Sequence, residues 1–263
     1  MKLRDICIVM MLGLLSGSVF AITKLPLPVE CFAVNGRNAF VMTPEQPAAG
    51  NPWVWYAPTL NAYPHQSQQY YFEQLLAHGI AVAGYDLGEA RGAPGSSGKF
   101  TEFYEAMLEK SYSAKPVLLG QSRGGLMMLC WAFRNPDKVG AFAGIYPVCN
   151  IASWPLLGSK GTVLADYGMS EEAILKQLDL YNPPANMTAL AKAGVPMFII
   201  HGDSDRVVPY RDNSALIKTA YEKAGGDIEV KMVPGKGHAE VPEFFRDQDL
   251  LKFIFKQAKE EPL

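Results

Sequence analysis

The sequence predicts an α/β fold, a mostly parallel sheet flanked by helices, and three observations predict it. Short apolar runs alternate with stretches of helical period along most of the 263 residues, the pattern of strands buried on both faces and joined by crossover helices. One run, Pro116-Val117-Leu118-Leu119, passes through Gly120-Gln121-Ser122-Arg123-Gly124 directly into a helix. Two late apolar runs end in polar loops that hold an aspartate and a histidine, at the strand ends where open α/β sheets bind ligands. The length fits one globular domain. A net charge of −2 gives no reason to expect nucleic acid or an anionic membrane surface as a partner.

The first residues stand apart. Lys2 and Arg4 precede an apolar run from Ile6 to Leu15, and small residues lead to Ala21. That order describes a secretory signal peptide over residues 1–21, because the run is short for a membrane span of roughly 20 residues. Residues 22–263 are then an exported domain, periplasmic or secreted, with no stable membrane anchor.

Within that domain, Asn35-Gly36 between two apolar runs predicts a hairpin. Trp53–Ala57 reads as a buried strand, Ser67–His78 as a helix closed by Gly79, and Ile80–Tyr85 as the next strand. Asp86 to Gly98 is expected to be a loop, followed by a helix over Thr101–Lys110. The elbow strand follows, and then a helix from Gly125 to Asn135 with Leu126, Leu129, Cys130 and Phe133 on one side. Ala141–Tyr146, Val195–His201 and Ile228–Val233 read as further strands. Helices over 211–224 and 248–259 cover the last two. The alternation breaks only between Asn150 and Ala193. This aromatic insertion, about 150–193 with one helix over 170–180, is expected to form a small cap over the site.

A strand that becomes a helix within a few residues must turn sharply, and Gly120 and Gly124 stand where side chains would collide. Ser122 sits at the apex, beside a helix N-terminus able to hold an anion. A serine hydroxyl needs a base as it attacks, and a histidine base needs a carboxylate to hold its tautomer. His238, flanked by Gly237 in the last loop, is the expected base. Of the other histidines, His65 lies within reach of the site, His78 ends a helix, and His201 is expected to pack at a strand end. Asp203 and Asp205 compete as the acid. Asp205 is preferred because Asp203, next to Gly202, suits a turn-capping role. Oxyanion donors are expected from the N–H of Arg123 and, after the Trp53 strand, from Thr59 or Leu60.

With these residues in place the chain resembles the α/β-hydrolase superfamily from about Trp53 to Lys259. The resemblance rests on Gly120–Gly125, His201–Pro209, Gly237-His238 and the glycine-rich loop after Asp86. It implies an α/β-hydrolase fold with an eight-stranded, mostly parallel sheet, and triad roles for Ser122, Asp205 and His238. Serine followed by arginine is also similar to the elbow of glucuronoyl and related carbohydrate esterases, where the arginine side chain helps hold the oxyanion. Their later lysine is replaced by Met127 or Met128 here. The prolyl oligopeptidase family shares the order of the three residues, but nothing in this sequence resembles its propeller.

The expected function is therefore hydrolysis of a carboxylic ester, on a small molecule or a carbohydrate, through an acyl-enzyme. A peptidase or amidase on the same residues is the alternative, and would need acidic residues such as Glu89 or Glu240 to take an amino terminus. A binding protein that has lost its chemistry is the third reading. No cofactor is expected, and no Cys–His spacing suggests a metal.

Overall fold

The computed structural model describes residues 25–259, so the segment read as a signal peptide lies outside the described residues. The chain opens with β1 (Glu30–Val34) and β2 (Arg37–Met42). They are joined by Asn35 and Gly36 at φ +47° and +76°, the two left-handed positions that an Asn-Gly hairpin turn supplies. β2 pairs antiparallel with β4 (Ala81–Tyr85), which lies parallel to β3 (Trp53–Ala57). Four more parallel strands complete the sheet: β5 (Val117–Gln121), β6 (Ala141–Ile145), β7 (Met197–Gly202) and β8 (Ile228–Val233). The order is β1-β2-β4-β3-β5-β6-β7-β8. It is the eight-stranded, mostly parallel sheet of an α/β-hydrolase.

Period-2 alternation divides the core between the two faces of the sheet. Along β3, Trp53 and Trp55 join one cluster with Leu118, Leu126 and Phe142. Val54 and Tyr56 face the other, with Leu119, Phe244 and Ile254. α1 (Gln69–Ala77) and α9 (Gln248–Lys259) cover the second face. α2 (Pro94–Glu109), α3 (Arg123–Ala132) and α8 (Ser214–Lys223) cover the first.

Three helical expectations need correction. α2 begins at Pro94, inside the stretch expected to be loop. Proline is tolerated in a first turn, where its missing N–H has no partner to lose, and Phe100, Phe103 and Met107 supply a buried stripe. α3 was expected to bury one side, but every residue from Gly124 to Ala132 is buried. Its second side meets residues 151–174 in the same core cluster. The segment between β6 and β7 holds four short helices rather than one over 170–180. They are α4 (Trp154–Tyr167), α5 (Glu171–Lys176), α6 (Leu178–Tyr181) and α7 (Met187–Lys192). In α4, Leu156, Val163 and Tyr167 are buried, and that packing outweighs two glycines of poor helix propensity.

Cys31, Cys130 and Cys149 are free thiols. Burial pushes the Cys130 thiol up to about 12, so it behaves as a packed apolar group. Among the described residues no helix is long and apolar enough to cross a membrane.

Candidate active site

β5, β7 and β8 end on the same edge of the sheet, and each delivers one polar side chain. After β5 the backbone reverses at Ser122, whose φ is +48° and ψ −122°, a region that non-glycine residues occupy only when their surroundings enforce it. The enforcement is visible. Ser122 N donates to Ile145 O at 3.0 Å, and Ser122 O accepts from Gly125 N and Val148 N at 2.9 and 2.8 Å. A methyl group on Gly124 would lie 2.0 Å from Ala57 O, and one on Gly120 would lie 2.7 Å from Gly125 Cα. Both glycines are there because backbone occupies the space of a side chain.

The hydroxyl so presented is 2.9 Å from His238 Nε2, and His238 Nδ1 is 2.7 Å from Asp205 Oδ2. Asp205 is buried, and its Oδ1 accepts from Val207 N and Val208 N at 2.9 and 2.8 Å. Burial alone would raise its pKa, but hydrogen bonds from His201, His238 and the Val208 N–H outweigh that and hold the carboxyl well below the usual carboxylate range. Asp205 is thus a fixed anion facing Nδ1, which places the imidazole proton there and leaves Nε2 free to accept from the serine. The Tyr146 ring packs 4.3 Å from the imidazole, centroid to centroid.

Asp203 has a different task. Its Oδ1 accepts from Gly235 N at 2.8 Å, and Ser204 N donates to Lys236 O at 3.0 Å, so the loop after β7 is tied to the loop that carries His238. His201 is fully buried between Ser214 Oγ and Val208 O, each 2.8 Å from a ring nitrogen. His78 Nδ1 lies 2.7 Å from Gln74 O at the end of α1.

The oxyanion expectation divides. Arg123 opens α3, and its N–H, in the first turn, has no intrahelical acceptor. Thr59 is buried with its hydroxyl donated to Tyr56 O at 3.4 Å, and Leu60 N is committed to Tyr63 O at 3.0 Å. The Leu60–Tyr63 bridge turns the loop so that Tyr63 reaches the pocket instead. Sequence reasoning missed this residue, because a phenol in a loop carries no motif.

The pocket has a volume of about 280 Å³ and is walled by Tyr63, Gln121, Arg123, Trp154, Val208 and Glu240 around Ser122. The Arg123 guanidinium is paired with Glu89 and lies over the Trp154 ring at 5.6 Å. Arg91, beside Glu89, reaches Asp166 of α4 at 2.6 Å. A chain of charges therefore links the elbow, the loop after β4 and the β6–β7 segment. Gln121, also missed, accepts from Tyr56 and Gln68 at 2.8 Å each beneath the pocket.

Fold and site together define a serine hydrolase of the α/β-hydrolase superfamily. Within it, the chain belongs to the prolyl oligopeptidase family, whose sequence profile it matches over residues 98–261. No curated protein sequence matches the chain. Solved structures with a similar fold include a dipeptidyl peptidase 4 from Porphyromonas gingivalis, with a TM-score of 0.69 and 17% identity over 88% of this chain and 36% of that one. An S-formylglutathione hydrolase from Agrobacterium tumefaciens gives 0.65 and 15%, covering 88% and 94%. Est1E from Butyrivibrio proteoclasticus gives 0.64 and 17%, covering 88% and 99%. The chain thus spans little more than a third of that peptidase and nearly all of the two shorter chains.

Proposed function

We propose that Ser122, His238 and Asp205 hydrolyse a carboxylic ester through an acyl-enzyme. The observation that carries this reading is the unbroken relay from Ser122 Oγ to His238 Nε2 and from His238 Nδ1 to Asp205. Ser122 Oγ attacks the carbonyl carbon as His238 takes its proton, and the buried Asp205 stabilises the imidazolium. The Arg123 N–H and the Tyr63 hydroxyl hold the oxyanion. Burial and the nearby Glu240 carboxylate raise the Tyr63 pKa, so the phenol keeps its proton and can donate. His238 then protonates the leaving alcohol, and water repeats the sequence to free the acid. A carbohydrate ester remains within this proposal, with Trp154 as a stacking surface; Arg123, paired with Glu89, acts through its backbone.

A peptide or amide bond is the second reading, favoured by the family match and by the presence of Glu240 in the pocket. Rates on matched ester and anilide panels decide between them. Esters turned over faster than anilides of the same acyl group, beyond their intrinsic difference in reactivity, support the first reading, and the reverse supports the second. Residues 1–21 are proposed as an export signal on their basic start and short apolar run. Recovering mature protein that still begins at Met1 would contradict export.

A further inference from the structure

The pocket holds a carboxylate that the proton relay does not use. Glu240 stands two residues after His238 and lines the pocket of Ser122. Its Oε2 accepts from Ser67 Oγ at 2.8 Å and lies 3.1 Å from His65 Nε2. Its Oε1 receives one long contact, 3.4 Å from Gln121 Nε2, and the carboxylate is near enough to Tyr63 to help raise the pKa of that phenol.

These donors are all neutral. His65 Nδ1 accepts the Ser67 N–H at 3.3 Å, which puts the ring proton on Nε2 and leaves the imidazole uncharged. Among the described residues His65 is the only ion-pair contact of Glu240. Of the other charges, Arg123 is paired with Glu89, and Asp205 lies behind His238, held by that ring and by the Val207 and Val208 N–H groups. The pocket therefore carries one surplus negative charge. Glu240, which bears it, lines the same pocket as the nucleophile. A carboxylate lining the pocket is well satisfied by a cation that also donates hydrogen bonds, and a primary ammonium brings one charge and three donors.

We propose that Glu240 binds the α-ammonium group of the acyl part of the substrate, so that the enzyme prefers unblocked aminoacyl esters or amides. This rests on Ser122 as the nucleophile. An ammonium one carbon from the scissile carbonyl would sit in the pocket that Ser122 and Glu240 both line. The apolar surfaces of Tyr146, Trp154, Val207 and Val208 in the same pocket are left for the side chain of the aminoacyl group.

The test compares kcat/KM for the 4-nitroanilides and methyl esters of alanine, N-acetylalanine and Nα-acetyl-lysine on wild type, Glu240→Gln and Ser122→Ala. A charge-assisted contact of this kind predicts that free alanine derivatives are favoured over N-acetylalanine derivatives by roughly 10- to 100-fold, and that Glu240→Gln brings the ratio close to one. Equal or better use of the blocked substrate by wild type overturns the proposal. So does a ratio unchanged in Glu240→Gln, or a variant that slows both substrates equally, which would assign Glu240 to holding the His65 loop. Preference for Nα-acetyl-lysine over alanine moves the ammonium to the side chain and overturns the α-amino assignment. Hydrolysis that persists in Ser122→Ala would defeat the nucleophile reading instead, and the two failures are therefore distinguishable.

Discussion

The elbow and the β6–β7 segment meet across one pocket but are held in opposite ways. At the elbow, backbone presses on backbone: Gly124 against Ala57, Gly120 against Gly125, and Ser122 pinned through both its N–H and its carbonyl. In the β6–β7 segment four short helices are joined by brief turns, Ser159 leaves helical geometry inside α4, and Leu157 and Leu180 are 84% and 61% exposed. Its links to the site run through side chains, Arg91 to Asp166 and Trp154 to Arg123. Geometry that must be exact for bond breaking is built from main chain, where no rotamer can relax it. The surface that meets variable parts of a substrate is built from replaceable side chains.

Substitutions on the two sides should therefore differ by orders of magnitude. The largest expected effect is Ser122→Ala, which should lower kcat by about a millionfold with thermal unfolding unchanged, as read by steady-state kinetics beside calorimetry. Asp205→Asn should cost about 10⁴-fold through the wrong imidazole tautomer, whereas Asp203→Asn, whose amide oxygen can still accept from Gly235, should stay within about tenfold. A reversal of that pair would reassign the acid. Because Asp205 is held well below the usual carboxylate range, it stays ionised when the pH falls through the ordinary carboxylate pKa of about 4. Its contribution to stability is present above that value and is lost only as pH falls through its depressed folded pKa. Titration of Asp205 should accordingly leave no limb in the pH–rate profile near pH 4, and Asp205→Asn should lower the plateau at every pH.

Gly124→Ala tests the backbone side of the comparison by stability. Its new methyl group would meet Ala57 O at 2.0 Å, so the elbow must open, with a loss of roughly 3 kcal/mol or more in denaturant unfolding. At the other extreme Leu157→Lys, on the exposed face of α4, should change stability by no more than about 0.5 kcal/mol. A large loss there would mean that this leucine is covered in the working protein.

The same contrast explains what could be read from the sequence. The elbow was legible because a backbone collision leaves only glycine, and glycine is visible in the chain. His238 and Asp205 were legible because each follows an apolar strand at its carboxyl end, and because Asp203, beside Gly202, suits a turn. Tyr63 was not legible: a phenol in a loop carries no motif, and the Leu60–Tyr63 bridge that turns this one toward the pocket is a tertiary detail. α4 was hidden by Gly158 and Gly161, whose local propensities oppose a helix that burial of Leu156, Val163 and Tyr167 imposes. Glu240 was visible as an acidic residue, but its place in the pocket depends on how the His238 loop folds back on His65 and Ser67.

The central claim is that the relay activates Ser122 and no other hydroxyl. Intact-protein and peptide mass spectrometry after brief exposure of the folded protein to a fluorophosphonate tests it most directly. The account predicts a single phosphonyl adduct on the peptide containing Ser122, formed far more slowly in His238→Ala. A folded protein that takes no adduct, or carries it on another residue, would contradict the account.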